Sequence, residues 1–317
     1  MAMPKSKYLS PVWKDGIFAD RVVFVTGGAG DICSAQTRAL VHLGANACII
    51  GRNPTKTEAA AKEIAKVRSG AKVIGIGNVD VRKFESLKAA ADRCVAELGA
   101  IDFVIAGAAG NFIAPLSALT PNGFKTVIDI DTIGTYNTVK ATIDHLVQSA
   151  SRNKDSAETG LTGGRILYVS ATFHYTGLPL QAHVAAAKAG VDAIMASVAL
   201  EYGPLGISSN VIAPGAIEGT EGMERLGSKA VDSKLLAKSF PSGRMGRVRD
   251  IADATVYLFS DAGSYVNGHA LIVDGAAWRR QGGNSVGLDP GMEYPNFLID
   301  GVFSANVKSG RKEKGKL

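Results

Sequence analysis

The chain has 317 residues, 46% of them hydrophobic, and a formal net charge of +6 from 35 Lys and Arg against 29 Asp and Glu. That length and apolar share suit one α/β domain of roughly 250 residues with short extensions, and no apolar run reaches the ~18–20 residues of a membrane span. The excess charge gathers after Lys308, where five basic residues face Glu313 alone, so it does not mark a nucleic-acid-binding face, and MAMPKSKYLSPVWKDG lacks the apolar segment of a secretory signal.

In chain order, RVVFVT (21–26), ACIIGR (47–52), KVIGIGNVD (72–80), IDFVIAGA (101–108) and GRILYVSAT (164–172) read as buried strands rich in Val and Ile. Helix-period stretches separate them: SAQTRALVHLGA, PTKTEAAAKEIAKVR, KFESLKAAADRCVAEL and one long run from Pro121 to Ala150. SRNKDSAETGLTGG (151–164) is polar and reads as an exposed loop. AAAKAGVDAIMASVALEYG and RDIADATVYLFS add helices, and SSNVIAPGA and HALIVDGA add the last strands. Strands alternating with helices predict an α/β fold: a doubly wound, mostly parallel seven-stranded sheet with helices on both faces. The partition is an extension over 1–19, a single domain over 20–278, and a second extension over 279–317 that ends in the basic tail. Cys33, Cys48 and Cys94 match no zinc or CxxC spacing and read as reduced core thiols.

The turn after the first strand, TGGAGD, is where backbone amides and a helix N-terminus would meet a pyrophosphate. Gly27, Gly28 and Gly30 supply positive φ or close approach there. Asp31 opens the following helix, either as its cap or as a cofactor ligand; beside a pyrophosphate its charge would repel. The second strand ends IIGRN, with Arg52 where an acid would select a ribose 2′-hydroxyl, so a 2′-phosphate and hence NADPH is favoured. Asp80 ends the third strand, where it touches the adenine edge or caps the next helix.

TGGAGDIC, NVDV, IAGAAGNF, DIDTIGT, SAT, AAAKAG, NVIAPGAI and IVDGA stand in the order and spacing of the short-chain dehydrogenase/reductase family, which the chain resembles over roughly residues 20–275. The resemblance implies a Rossmann-type domain. Its cofactor contacts would fall on Thr26, Gly27, Gly28, Gly30, Asp31 and Ile32, then Arg52, Asp80 and Val81, then Ala106, Gly107 and Ala108. Lys188, Pro214, Gly215, Ile217 and Thr220 complete that set. Two glycines of the family's TGxxxGxG fall on Asp31 and Cys33.

The reacting centre departs further. Most family members donate a proton from a Tyr four residues before the Lys, and here that position is Val184. Asp131 replaces the family's Asn, and Ser170 survives on the fifth strand. Keeping the Lys while losing the Tyr is similar to the 2,4-dienoyl-CoA reductases, most closely their fungal peroxisomal form. AAGNF, DIDTIGT, SATFHYTG, HVAAAKAG and APGAIEGTEGMERLG carry that match. It implies NADPH-dependent reduction of a 2,4-dienoyl-CoA to a 3-enoyl-CoA in β-oxidation of unsaturated fatty acids, hydride going to C5 and a proton to C2.

Under that resemblance Lys188 positions the cofactor and supplies positive potential near the enolate. Asp131 either orders a proton-relaying water or merely joins two helices. Tyr175 either donates a proton or lines the acyl slot. His174 and His183 are further candidate proton carriers but read as packing or surface groups. Phe112 reads as an apolar wall, Asn111 as a polar contact to substrate or cofactor, and Ser170 as a substrate contact. Arg225, Arg244, Arg247 and Arg249 are candidates for the CoA phosphates. The ending Gly315-Lys316-Leu317 is a variant of the peroxisomal S-K-L address, to be read by an import receptor. A homodimer or homotetramer is carried by the family alone. The competing readings are another acyl-CoA or ketone reductase of the family and a non-catalytic NADP(H)-binding regulator.

Overall fold

The computed structural model describes residues 3–152, 163–226 and 240–279, with side chains left aside at 224–226. The exposed loop placed at 151–164 falls mostly outside these residues, as do the second extension and its terminal Gly-Lys-Leu.

Seven parallel strands form one sheet in the order β3-β2-β1-β4-β5-β6-β7. They are β1 Val22–Thr26, β2 Asn46–Ile50, β3 Val73–Ile76, β4 Phe103–Ala106, β5 Arg165–Val169, β6 Ser208–Pro214 and β7 Ala270–Val273. β1 lies between β2 (Val22 opposite Asn46) and β4 (Val23 opposite Phe103), so the strand order reverses there. Every residue of β1, β4 and β6 is buried. Such strands need helices on both faces, which is why they read as continuous apolar runs.

The helices are α1 Asp31–His42, α2 Pro54–Ala65, α3 Phe84–Leu98, α4 Pro121–Val127, α5 Gly134–Arg152, α6 Phe173–Thr176, α7 Ala182–Tyr202, α8 Glu221–Leu226 and α9 Val248–Phe259. Two apolar clusters sandwich the sheet, one closed by α1, α2 and α9, the other by α3, α5 and α7. Cys33, Cys48 and Cys94 are buried free thiols within them. Asn53 and Thr120 cap α2 and α4 through Lys56 N and Gly123 N, each followed by Pro at the first helical position.

Four features differ from the sequence expectation. The third strand stops at Ile76, because Asn78 turns the chain at φ 57°, and Asp80 lies past that turn. The long helix expected from Pro121 is broken by a π-helical segment, Ile128–Ile133. Its extra residue per turn carries Asp131 inward to complete burial. α7 is apolar enough along its length to pass as a membrane span, yet Val184, Ala187, Val191 and Met195 pack it into the domain. Finally, residues 3–19 are not peripheral. Tyr8, Leu9 and Phe18 are buried, and Trp13 Nε1 donates to Asp253 Oδ1 at 2.8 Å.

Candidate active site

At the β1/β4 reversal a cleft of about 910 Å³ opens above the C-terminal strand ends. Gly27, Gly30, Arg52, Asp80, Val81 and Ala108 line it. Gly27 holds φ +65°, and a Cβ there would come within 3.0 Å of Ala108 Cα. A Cβ on Gly28 would fall 2.5 Å from Ile49 Cβ. These two glycines let the turn lie flat on the sheet; Gly28 N and Gly30 N are held by Ile50 O and Gly27 O, so an anion would be met by the first-turn amides of α1. Thr26 sits behind the cleft, its Oγ1 accepting from Gly107 N and Ala108 N at 3.1 Å each, which fixes the β4 turn. Cys33 fills the place of a family glycine. Its Sγ occupies the space a Cβ on Gly107 would need, and burial pushes its thiol up to about 12 despite nearby Lys188.

Asp31 is not the cap of its helix. Gly30 is the N-cap of α1, and Asp31 Oδ2 accepts from Glu221 N at 2.8 Å, tying the start of α8 to the glycine turn. Ile32 follows, half-buried, in the first turn of α1. Asp80 holds Arg82, a cation the sequence reading missed, at 2.6 Å. The Arg82 hydrogen bond chiefly holds the Asp80 carboxyl below its usual range. Gly215 packs where a Cβ would lie 2.6 Å from Asp274 Cβ, directly after Pro214 ends β6. Ile217 is buried, and Thr220 Oγ1 donates to Ile217 O and accepts from Met223 N, capping α8. A nicotinamide dinucleotide fits these residues: the glycine cradle suits a pyrophosphate, and Arg52 suits a negative group on the adenosine ribose.

The second half of the site is made of side chains. Lys188 Nζ lies 3.1 Å from Asp131 Oδ2 and donates to Val169 O at 3.0 Å. Asp131 Oδ1 accepts from Gly110 N at 2.7 Å. The two side chains are 8% and 0% exposed, so this is a buried ion pair, joining α7 to the π segment and to the loop after β4. Val184 is buried one turn before Lys188 and has no proton to give.

Ser170 lies just past β5, buried. Tyr175 and His174 on α6 both reach Asp192, one turn after Lys188 on α7; His174 Nε2 is 2.9 Å from Asp192 Oδ2, and the Tyr175 hydroxyl donates to the same oxygen. Burial first, and the Asp192 contact second, raise the Tyr175 phenol above its ordinary value. Burial would also raise the Asp192 carboxyl, but the hydrogen bonds with His174 and Tyr175, with the Ser170 hydroxyl nearby, outweigh it and bring it below the usual range. Asp192 is the main group the sequence reading missed. Its signal was there: residues i and i+4 share a helix face, and Lys188 was already singled out.

His183 is fully buried and its Nε2 donates to Phe112 O, 3.0 Å away, while Gln181 Nε2 donates to that carbonyl at 3.0 Å. The Phe112 ring, half-exposed, packs on the His183 imidazole at 4.3 Å. His183 therefore shapes the wall next to Asn111. Asn111 Oδ1, Ser170 Oγ, His174 Nδ1, Gln181 Oε1, His183 Nδ1 and Asp192 Oδ1 are buried without a hydrogen-bond partner among the described residues. Orphaned polar atoms gathered at one spot are the mark of a ligand and its waters.

The arginines proposed for CoA are less decided. Arg244 pairs with Asp250 at 2.6 Å, Arg247 with Glu218 at 3.0 Å and Arg249 with Asp253 at 3.3 Å. Arg225 lies on α8, its side chain outside the described set.

A family model described as enoyl-(acyl carrier protein) reductase matches residues 27–276. The chain is 50% identical to the (3E)-enoyl-CoA-producing peroxisomal 2,4-dienoyl-CoA reductase SPS19 of Saccharomyces cerevisiae, over 92% of this chain and 94% of that protein. It is 38% identical to a (3E)-enoyl-CoA-producing peroxisomal 2,4-dienoyl-CoA reductase of Danio rerio, over 84% of each. Among solved structures it is similar to levodione reductase, with a TM-score of 0.75, 25% identity, and coverage of 83% of this chain and all (100%) of that one. A short-chain type dehydrogenase/reductase from Mycobacterium ulcerans gives a TM-score of 0.75 and 27% identity over 84% of this chain and 92% of that one.

Proposed function

Because this chain belongs to the short-chain dehydrogenase/reductase family, and is an oxidoreductase that keeps Lys188 without a phenol at position 184, we propose that it is an NADPH-dependent 2,4-dienoyl-CoA reductase. The observation that carries this reading is the buried Lys188–Asp131 pair, 3.1 Å apart, with Val184 beside it. A ketone reductase of this family needs a proton on the carbonyl oxygen as hydride arrives, and position 184 offers none. A conjugated thioester needs no proton at the site of hydride attack. Its charge runs down the chain to the thioester oxygen, where cationic stabilisation suffices.

The cofactor, when bound, supplies a hydride to C5. The glycine turn holds its pyrophosphate, Arg52 its 2′-phosphate, and Lys188 its nicotinamide ribose. The Lys188 ammonium donates to Val169 O and lies in ion-pair contact with Asp131 Oδ2, which leaves donors for a sugar hydroxyl, the enolate or a water. Asp131, pinned by Gly110 N, sets a counter-charge beside the buried ammonium. Between them the pair orders a water that delivers the proton to C2, which leaves a 3-enoyl-CoA. Relatives named (3E)-enoyl-CoA-producing support that position. Phe112 and Tyr175 line the acyl slot.

The peroxisome is the proposed location, supported by relatives of that name. A homodimer or homotetramer is the expected assembly. The deciding assay mixes the protein with NADPH and a 2,4-dienoyl-CoA and follows both chromophores. Turnover there and not with a 3-ketoacyl-CoA supports the proposal. Turnover of the ketone instead, or tight NADPH binding without turnover of either, overturns it.

A further inference from the structure

One group at this site has no part in the chemistry above. Asp192 accepts from the Tyr175 hydroxyl and lies 2.9 Å from His174 Nε2. The Ser170 hydroxyl faces the same carboxylate without completing a well-formed hydrogen bond. The Asp192 side chain is 16% exposed and that of His174 5%. Asp192 sits one turn beyond Lys188 on α7, so the two share a helix face.

The other charges around it are accounted for. Lys188 is bound to Asp131. Beyond Tyr175, the ring of Trp278 lies 5.6 Å away with the Arg279 guanidinium 4.2 Å over its far part. The anion that faces the phenol is therefore Asp192. A phenol that donates to a carboxylate has its proton directed away from any ligand and offers the cleft only lone pairs. Losing that proton would set a phenolate against a carboxylate, two anions at hydrogen-bond distance.

We propose that Asp192 helps determine what this cleft reduces: by engaging the Tyr175 proton it withholds a phenol that could stand in for the acid missing at position 184. The inference rests on the dienoyl-CoA reading of the same site. In the suppressed reaction, NADPH would be oxidised to NADP⁺ and its hydride would bond to the ketone carbon as the C=O π bond opens. The Tyr175 O–H would break, its proton would close the alcohol, and solvent would reprotonate the phenolate. With the carboxylate present, the Tyr175 proton is not available for that step.

The test is Asp192→Asn, which keeps shape and an acceptor but removes the charge. With tyrosine ring carbons labelled, the Tyr175 Cζ resonance is assigned by its loss in Tyr175→Phe. It should titrate above the ordinary ~10 in the wild type and move down towards it in Asp192→Asn, burial keeping part of the rise. The ratio of kcat/KM for a 3-ketoacyl-CoA over a 2,4-dienoyl-CoA should rise at least about ten-fold in Asp192→Asn, and adding Tyr175→Phe should remove the rise. An unmoved ratio with a moved phenol titration overturns the proposal. So does a wild-type phenol that ionises near 10, a measurement that needs no Asp192 variant to fold. A wild type that turns over neither thioester defeats the dienoyl-CoA reading instead, while the phenol titration still reports on the contact.

Discussion

The two halves of the cleft are built by different means. The cofactor half is mostly backbone: Gly27 at positive φ, Gly28 against Ile49, and amides at the start of α1. Its parts come from short runs of sequence at strand ends. The substrate half is mostly side chain, and its partners come from far apart: Asp131 with Lys188, Tyr175 and His174 with Asp192, His183 with the Phe112 carbonyl. The difference teaches where chemistry can change without loss of fold. A backbone cradle tolerates Cys33 and Asp31 in place of glycines because each finds a use, one as filler and one as a tie to α8. A side-chain centre is redefined by one exchange, as Val184 for a phenol shows.

Lys188→Ala should break this contrast hardest. It removes the cation shared by both halves and leaves Asp131 buried and unpaired, with a turnover loss of about 10²–10³ and a stability loss of about 3–5 kcal/mol. The double variant Lys188→Ala/Asp131→Asn should recover most of the melting temperature and none of the turnover, which separates charge burial from catalysis.

Asp131→Ala comes next. A kcat loss of about 10² is expected from removal of the group that holds the ammonium and its water, with NADPH affinity less affected. Single-turnover kinetics at saturating cofactor would read this directly. An Asp131→Ala enzyme with near-normal kcat would reduce the pair to a helix tie.

Arg52→Ala tests the cofactor half alone. Loss of a charge-assisted contact to a 2′-phosphate, about 1.5–3 kcal/mol, should raise the NADPH KM about 10–100-fold and leave kcat nearly unchanged. The preference over NADH should fall with it. Tyr175→Phe should cost less than either substitution in the ion pair, under about ten-fold in kcat, because its proton already belongs to Asp192.

The smallest effect is one of pH. The folded Asp192 carboxyl lies below its unfolded value, so its contribution to stability is complete above the unfolded ~3.9 and disappears as pH falls through the lower folded value. Acid unfolding of the wild type should therefore show a component in that window that Asp192→Asn lacks.

The fold was legible almost throughout, because fully buried parallel strands must be apolar runs and the helices between them must carry a 3.6-residue stripe. The glycine turn, Arg52 and Lys188 were legible for the same reason: each belongs to a local run whose spacing reports a strand end or a helix face. The break in the helix after Pro121 was not, since π and α segments share one apolar stripe and only packing inserts the extra residue. Asp192 was legible only as a residue on the Lys188 face; its partners were not, because they depend on the short helix of His174 and Tyr175 folding back over α7. By itself, then, the sequence determined the sheet, the cradle and the absence of a phenol at 184. Tertiary structure alone decided that Asp131 meets Lys188, that Asp31 reaches Glu221 and that Tyr175 gives its proton to Asp192. Pairing between distant side chains is a property of packing, which one-dimensional periodicity does not encode.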